Sequence, residues 1–197
     1  MLDPVSTFAA IVLAGGTSRR SGVADKCSQL IGNRTLLDRA LDSVVGADRI
    51  CVVGPQRATE VDVVWIREEP LSGGPAAGLR AGLDKLRTSA DLIATVAGDL
   101  PFAGSAVERL LACMEKSTAD VAIAVDPDGR DQYLLAAWRR SSLERSLPGN
   151  GVSGVSMRAL ITSALVERVA VTRLESLDVD SPEDFAAAQS LVSATGE

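Results

Sequence analysis

Hydrophobic and polar positions in this chain fall into blocks that switch between two periods. Phe8-Ala9-Ala10-Ile11-Val12-Leu13 is an unbroken apolar run, the pattern of a strand buried on both faces. Over Leu36 to Val45, the positions Leu37, Ala40, Leu41 and Val44 recur at a spacing of about 3.6, which predicts a helix with Thr35 as its N-cap. Ile50 to Val53 and Val61 to Ile66 are short β-branched runs that predict strands. Between Gly73 and Lys85 a glycine-rich turn feeds an alanine- and leucine-rich helix, and Leu92 to Ala97 predicts a further buried strand ending at Gly98-Asp99-Leu100-Pro101. A helix is expected from Ser105 to Lys116 and a strand from Asp120 to Val125.

Asp126-Pro127-Asp128-Gly129 is a strong turn signal, after which Tyr133 to Trp138 predicts a strand running back against a neighbour. Ser153 to Ala164 reads as helical and Val166 to Val171 as a strand. Ser181-Pro182-Glu183-Asp184 marks a helix start, with a cap, a proline in the first turn and two acids at the positive end of the dipole. The alternation predicts a three-layer αβα sandwich whose Rossmann-like sheet is mainly parallel, is buried on both faces and carries one antiparallel strand. No repeat or long linker interrupts it, so residues 1–197 are expected to form a single domain.

Composition removes many chemistries. The chain has no histidine, which excludes histidine-dependent triads, imidazole acid–base catalysis and histidine-ligated metals. Its three cysteines, Cys27, Cys51 and Cys113, fit neither a disulfide framework nor a zinc site, and predict reduced thiols in a cytoplasmic protein. A net charge of −6 argues against a nucleic-acid surface, so basic character must be local. No basic segment leads into a long apolar run, and no stretch approaches the roughly 18 apolar residues of a membrane span, so neither a signal peptide nor a membrane partner is expected.

In sheets of this kind ligands sit outside the carboxyl ends of the strands, and four loops with chemistry fall there. The first is Leu13-Ala14-Gly15-Gly16-Thr17-Ser18-Arg19-Arg20, followed by Asp25-Lys26. Adjacent glycines let backbone approach an anion, and Arg20 and Lys26 could complete a phosphate cradle; a tight structural turn explains the glycines equally well. The second is the acidic-to-glycine loop Glu68 to Gly78, which also reads as a plain β–α connection. The third is Asp99, a hard oxygen ligand suited to Mg²⁺, or alternatively a helix cap. The fourth is Asp178-Val179-Asp180, whose carboxylates share a side if the segment is extended; Asp180 is either a second metal ligand or a cap beside Ser181. Cations, a glycine cradle and metal-binding carboxylates together point to nucleotidyl transfer, which requires positioning and charge neutralisation but no protein nucleophile. The motif of P-loop NTPases is absent from the sequence.

The pattern Leu13-Ala14-Gly15-Gly16-x-Ser18-x-Arg20-x-Gly22, with Asp25-Lys26 beyond it, resembles the signature of nucleotidyltransferases with a glycosyltransferase-A-like fold. Among them it is most similar to the molybdenum cofactor guanylyltransferases. Gly74-Pro75-x-Ala77-Gly78-Leu79, Gly98-Asp99-Leu100-Pro101, Asp128-Gly129-Arg130-Asp131-Gln132 and Asp178-Val179-Asp180-Ser181-Pro182-Glu183-Asp184 resemble further motifs of that family, so the likeness runs through nearly the whole chain. It implies that Leu13, Ala14, Gly15, Gly16 and Gly74 hold the nucleotide, that Arg20 and Lys26 contact its phosphates, that Asp99 holds Mg²⁺ and that Glu68 lies near the base. It further implies GTP as donor, molybdopterin cofactor as acceptor, and contact with cofactor-inserting proteins or molybdoenzymes. The chain departs from the family at Ser21, Val23-Ala24 and Asn33-Arg34, and has Asp178 and Asp180 where asparagines are commoner.

Three other readings stand beside it. CMP transfer to the same cofactor, or nucleotidyl transfer to a sugar phosphate, uses the same constellation. A non-catalytic nucleotide-binding module would lack Arg20, Lys26 or Asp99, all of which are present. A glycosyltransferase would carry Asp-x-Asp at the metal-bearing strand end, where Gly98-Asp99-Leu100 has one carboxylate.

Overall fold

The computed structural model describes residues 7–15, 25–148 and 152–195. Its strands are β1 (Phe8–Leu13), β2 (Leu30–Ile31), β3 (Arg34–Thr35), β4 (Ile50–Val53), β5 (Val64–Ile66), β6 (Leu92–Ala97), β7 (Val121–Val125), β8 (Asp131–Arg139) and β9 (Val166–Ala170). The helices are α1 (Leu36–Asp42), α2 (Pro75–Leu86), α3 (Gly104–Lys116), α4 (Arg140–Ser146), α5 (Met157–Leu160) and α6 (Pro182–Thr195). Seven strands form one sheet in the order β5-β4-β1-β6-β8-β7-β9, and β2 and β3 form a separate hairpin. β8 runs antiparallel to both of its neighbours, while every other pairing in the large sheet is parallel.

Alternation along β1 builds the layers. Ala10, Val12 and Ala14 face a core completed by Leu37 and Leu41 of α1 and Leu110 and Met114 of α3. Ala9 and Ile11 face the opposite core, with Leu79, Leu83 and Leu86 of α2, Leu143 of α4 and Leu160 of α5. Burial on both faces is why these strands are apolar throughout rather than alternating. A smaller cluster of Ile31, Leu36, Val179, Ala188 and Val192 seats α6 against the hairpin. Close packing of α2 depends on Gly82, where a Cβ would lie 2.7 Å from Ile11 Cγ2.

β1, β4 and β6 occupy the residues expected of them, and Thr35 caps α1 by accepting a hydrogen bond from the Asp38 amide at 3.0 Å. Three expectations need correction. The helix expected over Leu36 to Val45 ends at Asp42. The run from Val61 begins to pair only at Val64, opposite Cys51. Only Met157–Leu160 of the stretch Ser153 to Ala164 is helical: Gly154 has φ +78° and donates its amide to Gly73 O at 2.9 Å, tying this stretch to the loop before α2. α4, with Leu143 as its buried apolar residue, and the two-residue strands of the hairpin are too short to show a period. Among the described residues no helix is long and apolar enough to cross a membrane.

Candidate active site

After β1 the chain crosses to β4 on one side, and it later returns on the other side as β6. Connections that diverge in this way leave a crevice beyond the C-terminal ends of the two central strands. Leu13 pairs with Ala97 at the last rung, the Gly98 amide donates to Leu13 O at 2.8 Å, and the Ala14 amide donates to Val53 O at 2.8 Å. Gly15 and Asp99 therefore emerge at one level. A cleft of about 300 Å³ opens there, lined by Leu13, Gly15, Glu68, Gly74, Asp99 and Leu134 among others.

Backbone crowding shapes its floor. Gly54 has φ +154°, and a Cβ there would sit 2.6 Å from Ala14 O. The Cβ direction of Gly15 points toward Glu68, whose Oε2 lies 3.6 Å from that position. Glu68 is half-buried and held by the Ser72 amide, which donates to its Oε1 at 3.1 Å. Gly74 has φ +90° with open space on its Cβ side and precedes Pro75, the first residue of α2.

At the mouth of the cleft lies a cluster of charge. Lys26, on a single 3₁₀ turn spanning Lys26–Ser28, is 9% exposed and sends Nζ to 2.7 Å from Asp99 Oδ2 and 3.5 Å from Asp178 Oδ1, with an ion pair to Asp180 as well. The three carboxylates each offer an oxygen within 4.8 Å of the others. Burial works against the Lys26 ammonium, but the charge of Asp99 and the hydrogen bonds Lys26 donates to Asp180 and Asp99 outweigh it and hold Lys26 protonated well above its ordinary range. Burial, reinforced by the neighbouring charge of Asp99, pushes the Asp178 carboxyl up to about 7. Among the described residues, one ammonium meets three carboxylates here. A set of hard carboxylate oxygens this close together fits a divalent cation such as Mg²⁺.

Main-chain contacts bear on the capping alternative for two acids. Asp99 does not cap α3, which begins after Ala103 without a side-chain cap. Ser181 caps α6, accepting from the Asp184 amide at 3.1 Å while Asp184 Oδ2 accepts from the Ser181 amide at 3.0 Å. The Asp180 carboxylate pairs with Lys26. The Val179 amide donates to Asp99 O at 3.1 Å, which docks this segment onto the end of β6.

Of the residues singled out from sequence, Leu13, Gly15, Glu68, Gly74 and Asp99 line the cleft, Ala14 lies buried beneath it, and Lys26 and Asp180 meet Asp99 at its mouth. Arg20, Gly16, Ser18 and Gly22 lie outside the described residues, as does Gly149-Asn150-Gly151. Sequence reasoning did not assign Asp178 to the charge cluster, although its spacing from Asp180 is the available signal. It also missed Arg57, which no local pattern marks. The Arg57 guanidinium holds Asp25 below the usual carboxylate range.

Residues 10–169 match the family described as the MobA-like NTP transferase domain. A molybdenum cofactor guanylyltransferase of Rhodopseudomonas palustris is 31% identical, over 97% of this chain and 94% of that protein. One of Acidiphilium cryptum is 34% identical, over 81% of this chain and 87% of that protein. Among solved structures, molybdopterin-guanine dinucleotide biosynthesis protein A from Archaeoglobus fulgidus superposes with a TM-score of 0.72 at 20% identity, covering 94% of this chain and 99% of that one. A Mycobacterium tuberculosis protein solved in complex with manganese superposes at 0.69 and 20% identity, covering 93% and 98%. With the cleft, the glycine-bordered strand ends and the carboxylate cluster in place, the chain belongs to the MobA-like NTP transferase family and is a nucleotidyltransferase.

Proposed function

We propose that this protein transfers GMP from GTP to molybdopterin cofactor, with Mg²⁺, releasing pyrophosphate. The observation that carries the reading is the meeting of Lys26, Asp99, Asp178 and Asp180 at the mouth of a cleft floored by Leu13, Gly15 and Gly74. The names of the relatives support the choice of reaction. A phosphate oxygen of the acceptor attacks the α-phosphorus in line, the bond from that phosphorus to the bridging oxygen breaks, and pyrophosphate departs with its electron pair. An ionised phosphate needs no base, which suits a chain without histidine.

Lys26 and Arg20 neutralise phosphate charge. Asp99 and Asp180, with Asp178 beside them, are the residues to hold Mg²⁺, which supplies further neutralisation of the triphosphate when bound. Glu68 accepts from the N1 and N2 donors of guanine, its carboxylate oriented by the Ser72 amide. The reading places the work in the cytoplasm, with the product passing to cofactor-inserting proteins or molybdoenzymes.

The test is pyrophosphate release with GTP, CTP or ATP in the presence of Mg²⁺ and molybdopterin cofactor. Release with GTP that disappears in Asp99→Ala is the expected result. Release with CTP and none with GTP overturns the guanylyl assignment, and release with none of them overturns the transfer.

A further inference from the structure

Arg57 stands in the loop after β4, and its side chain is 12% exposed. It gathers residues far apart in sequence. Its Nε lies 3.0 and 2.8 Å from the two oxygens of Asp25, and Nη2 lies 2.7 Å from Asp25 Oδ1. Its Nη1 donates to Ala14 O at 3.3 Å and to Pro55 O at 2.9 Å. The Asp25 carboxylate also accepts from the Ser28 hydroxyl at 2.6 Å, so it spans the turn that carries Lys26 and Cys27.

We infer that Arg57 is a positioning residue: through Asp25 it sets the Lys26–Ser28 turn against the ends of β1 and β4, and so places the Lys26 ammonium at the carboxylate cluster. A planar fork with several donors suits this task, because it fixes direction as well as charge; a lysine ammonium would supply charge alone. Beside the Arg57–Asp25 pair, the turn is held by the ion pairs of Lys26 itself and by the Leu36 amide, which donates to Gln29 O at 2.8 Å. Its apolar anchor is Cys27, 8% exposed, with Sγ 3.7 Å from Gly98 O. The catalytic consequence rests on the reading of Lys26 as a phosphate-contacting cation, whereas the placement of the turn does not.

Cys27 gives a readout independent of catalysis. The thiols of the full chain are labelled under native conditions, and the rates at Cys27 and Cys51 are followed by peptide mass, Cys51 being buried in the sheet core. In Arg57→Ala and in Asp25→Asn, Cys27 is expected to react about tenfold faster or more while Cys51 is unchanged, as for local opening on loss of charge-assisted hydrogen bonds. Arg57→Lys should fall between wild type and Arg57→Ala. Where wild type is active, kcat of Arg57→Ala should fall about 10- to 100-fold, the scale of a misplaced catalytic group, with a smaller change in KM for the nucleotide. An unchanged Cys27 rate overturns the proposal. So does a parallel rise at Cys51, which would mark Arg57 as a support of the whole fold. If wild type releases no pyrophosphate, the functional reading fails and the thiol rates still decide the positioning.

Discussion

Lys26 Nζ lies 2.7 Å from Asp99 Oδ2, and that contact is the hinge between the two halves of the site. Lys26 leaves the segment after β1 and Asp99 leaves β6, so the pair exists only because β1 and β6 are neighbours in the sheet. Asp178 and Asp180 join from a third direction, docked by the Val179 amide on Asp99 O.

Removing the ammonium should expose the repulsion it masks. Lys26→Met is expected to lower stability by about 1–3 kcal/mol, because breaking a shielded ion pair leaves like charges together. For a domain of this size that is a drop of roughly 2–10 °C in Tm. Millimolar Mg²⁺ or Mn²⁺ should restore part of it by binding the folded form. Thermal melts in chelator and in metal decide the matter; a variant as stable as wild type in chelator, or indifferent to metal, counts against a shared cation site.

The segment leading to Asp178 has its own acid-sensitive anchor. Glu175 accepts from Arg109 at 2.8 Å through both oxygens, and this bond, opposed by burial, lowers its pKa to about 2. A carboxyl whose folded pKa is depressed contributes stability above its unfolded pKa of about 4.3 and loses it as the pH falls toward the folded value. With Arg109 partly exposed the contribution is about 1–2 kcal/mol after screening. Wild type should therefore lose more Tm than Glu175→Gln between pH 5 and pH 2, by roughly 2–8 °C. Equal losses in the two proteins refute the anchor.

Gly54 tests the crowding at the cleft floor. A methyl there meets Ala14 O at 2.6 Å in a backbone conformation that L side chains rarely adopt. Gly54→Ala should cost about 2 kcal/mol or more and weaken nucleotide binding, since the clash displaces the end of β1. A Gly104→Ala control has room, its nearest neighbour being 3.9 Å from the added carbon. Calorimetric titration with nucleotide, beside urea melts of both variants, measures the two effects.

Base choice can be read from Glu68. Glu68→Gln keeps the shape and removes the charge, so GTP affinity should fall about 10- to 100-fold, the value of one charge-assisted hydrogen bond, while ATP affinity changes little. Titration with each nucleotide gives the comparison. Equal losses for GTP and ATP argue that Glu68 supports the loop, through the Ser72 amide, without reading the base.

Much of the fold was legible because its central strands are buried on both faces and so stand out as apolar runs. β1, β4 and β6 match those runs residue for residue, and the signal Asp126-Pro127-Asp128-Gly129 becomes a turn with Gly129 at φ +78°. Legibility failed where tertiary bonds replaced local ones. Gly154 gives its amide to Gly73, so the apolar spacing beyond Ser153 yields one short helix. α4 follows β8 without a side-chain cap and without a period long enough to register.

The amino-acid sequence by itself determined the order of the main strands and helices, without the β2–β3 hairpin and α4, the glycine-bordered end of β1, the absence of imidazole chemistry, and the presence of Lys26, Asp99 and Asp180 as charged groups beside predicted element ends. Those properties are local, set by periodicity, caps and residue chemistry. Only the tertiary structure decided which charges meet. Lys26 reaches Asp178 and Asp180 across 152 and 154 residues, and Arg57 reaches Asp25 across 32. Such meetings follow from sheet order and from how the last loop docks on β6, and no property of either partner's neighbourhood encodes them.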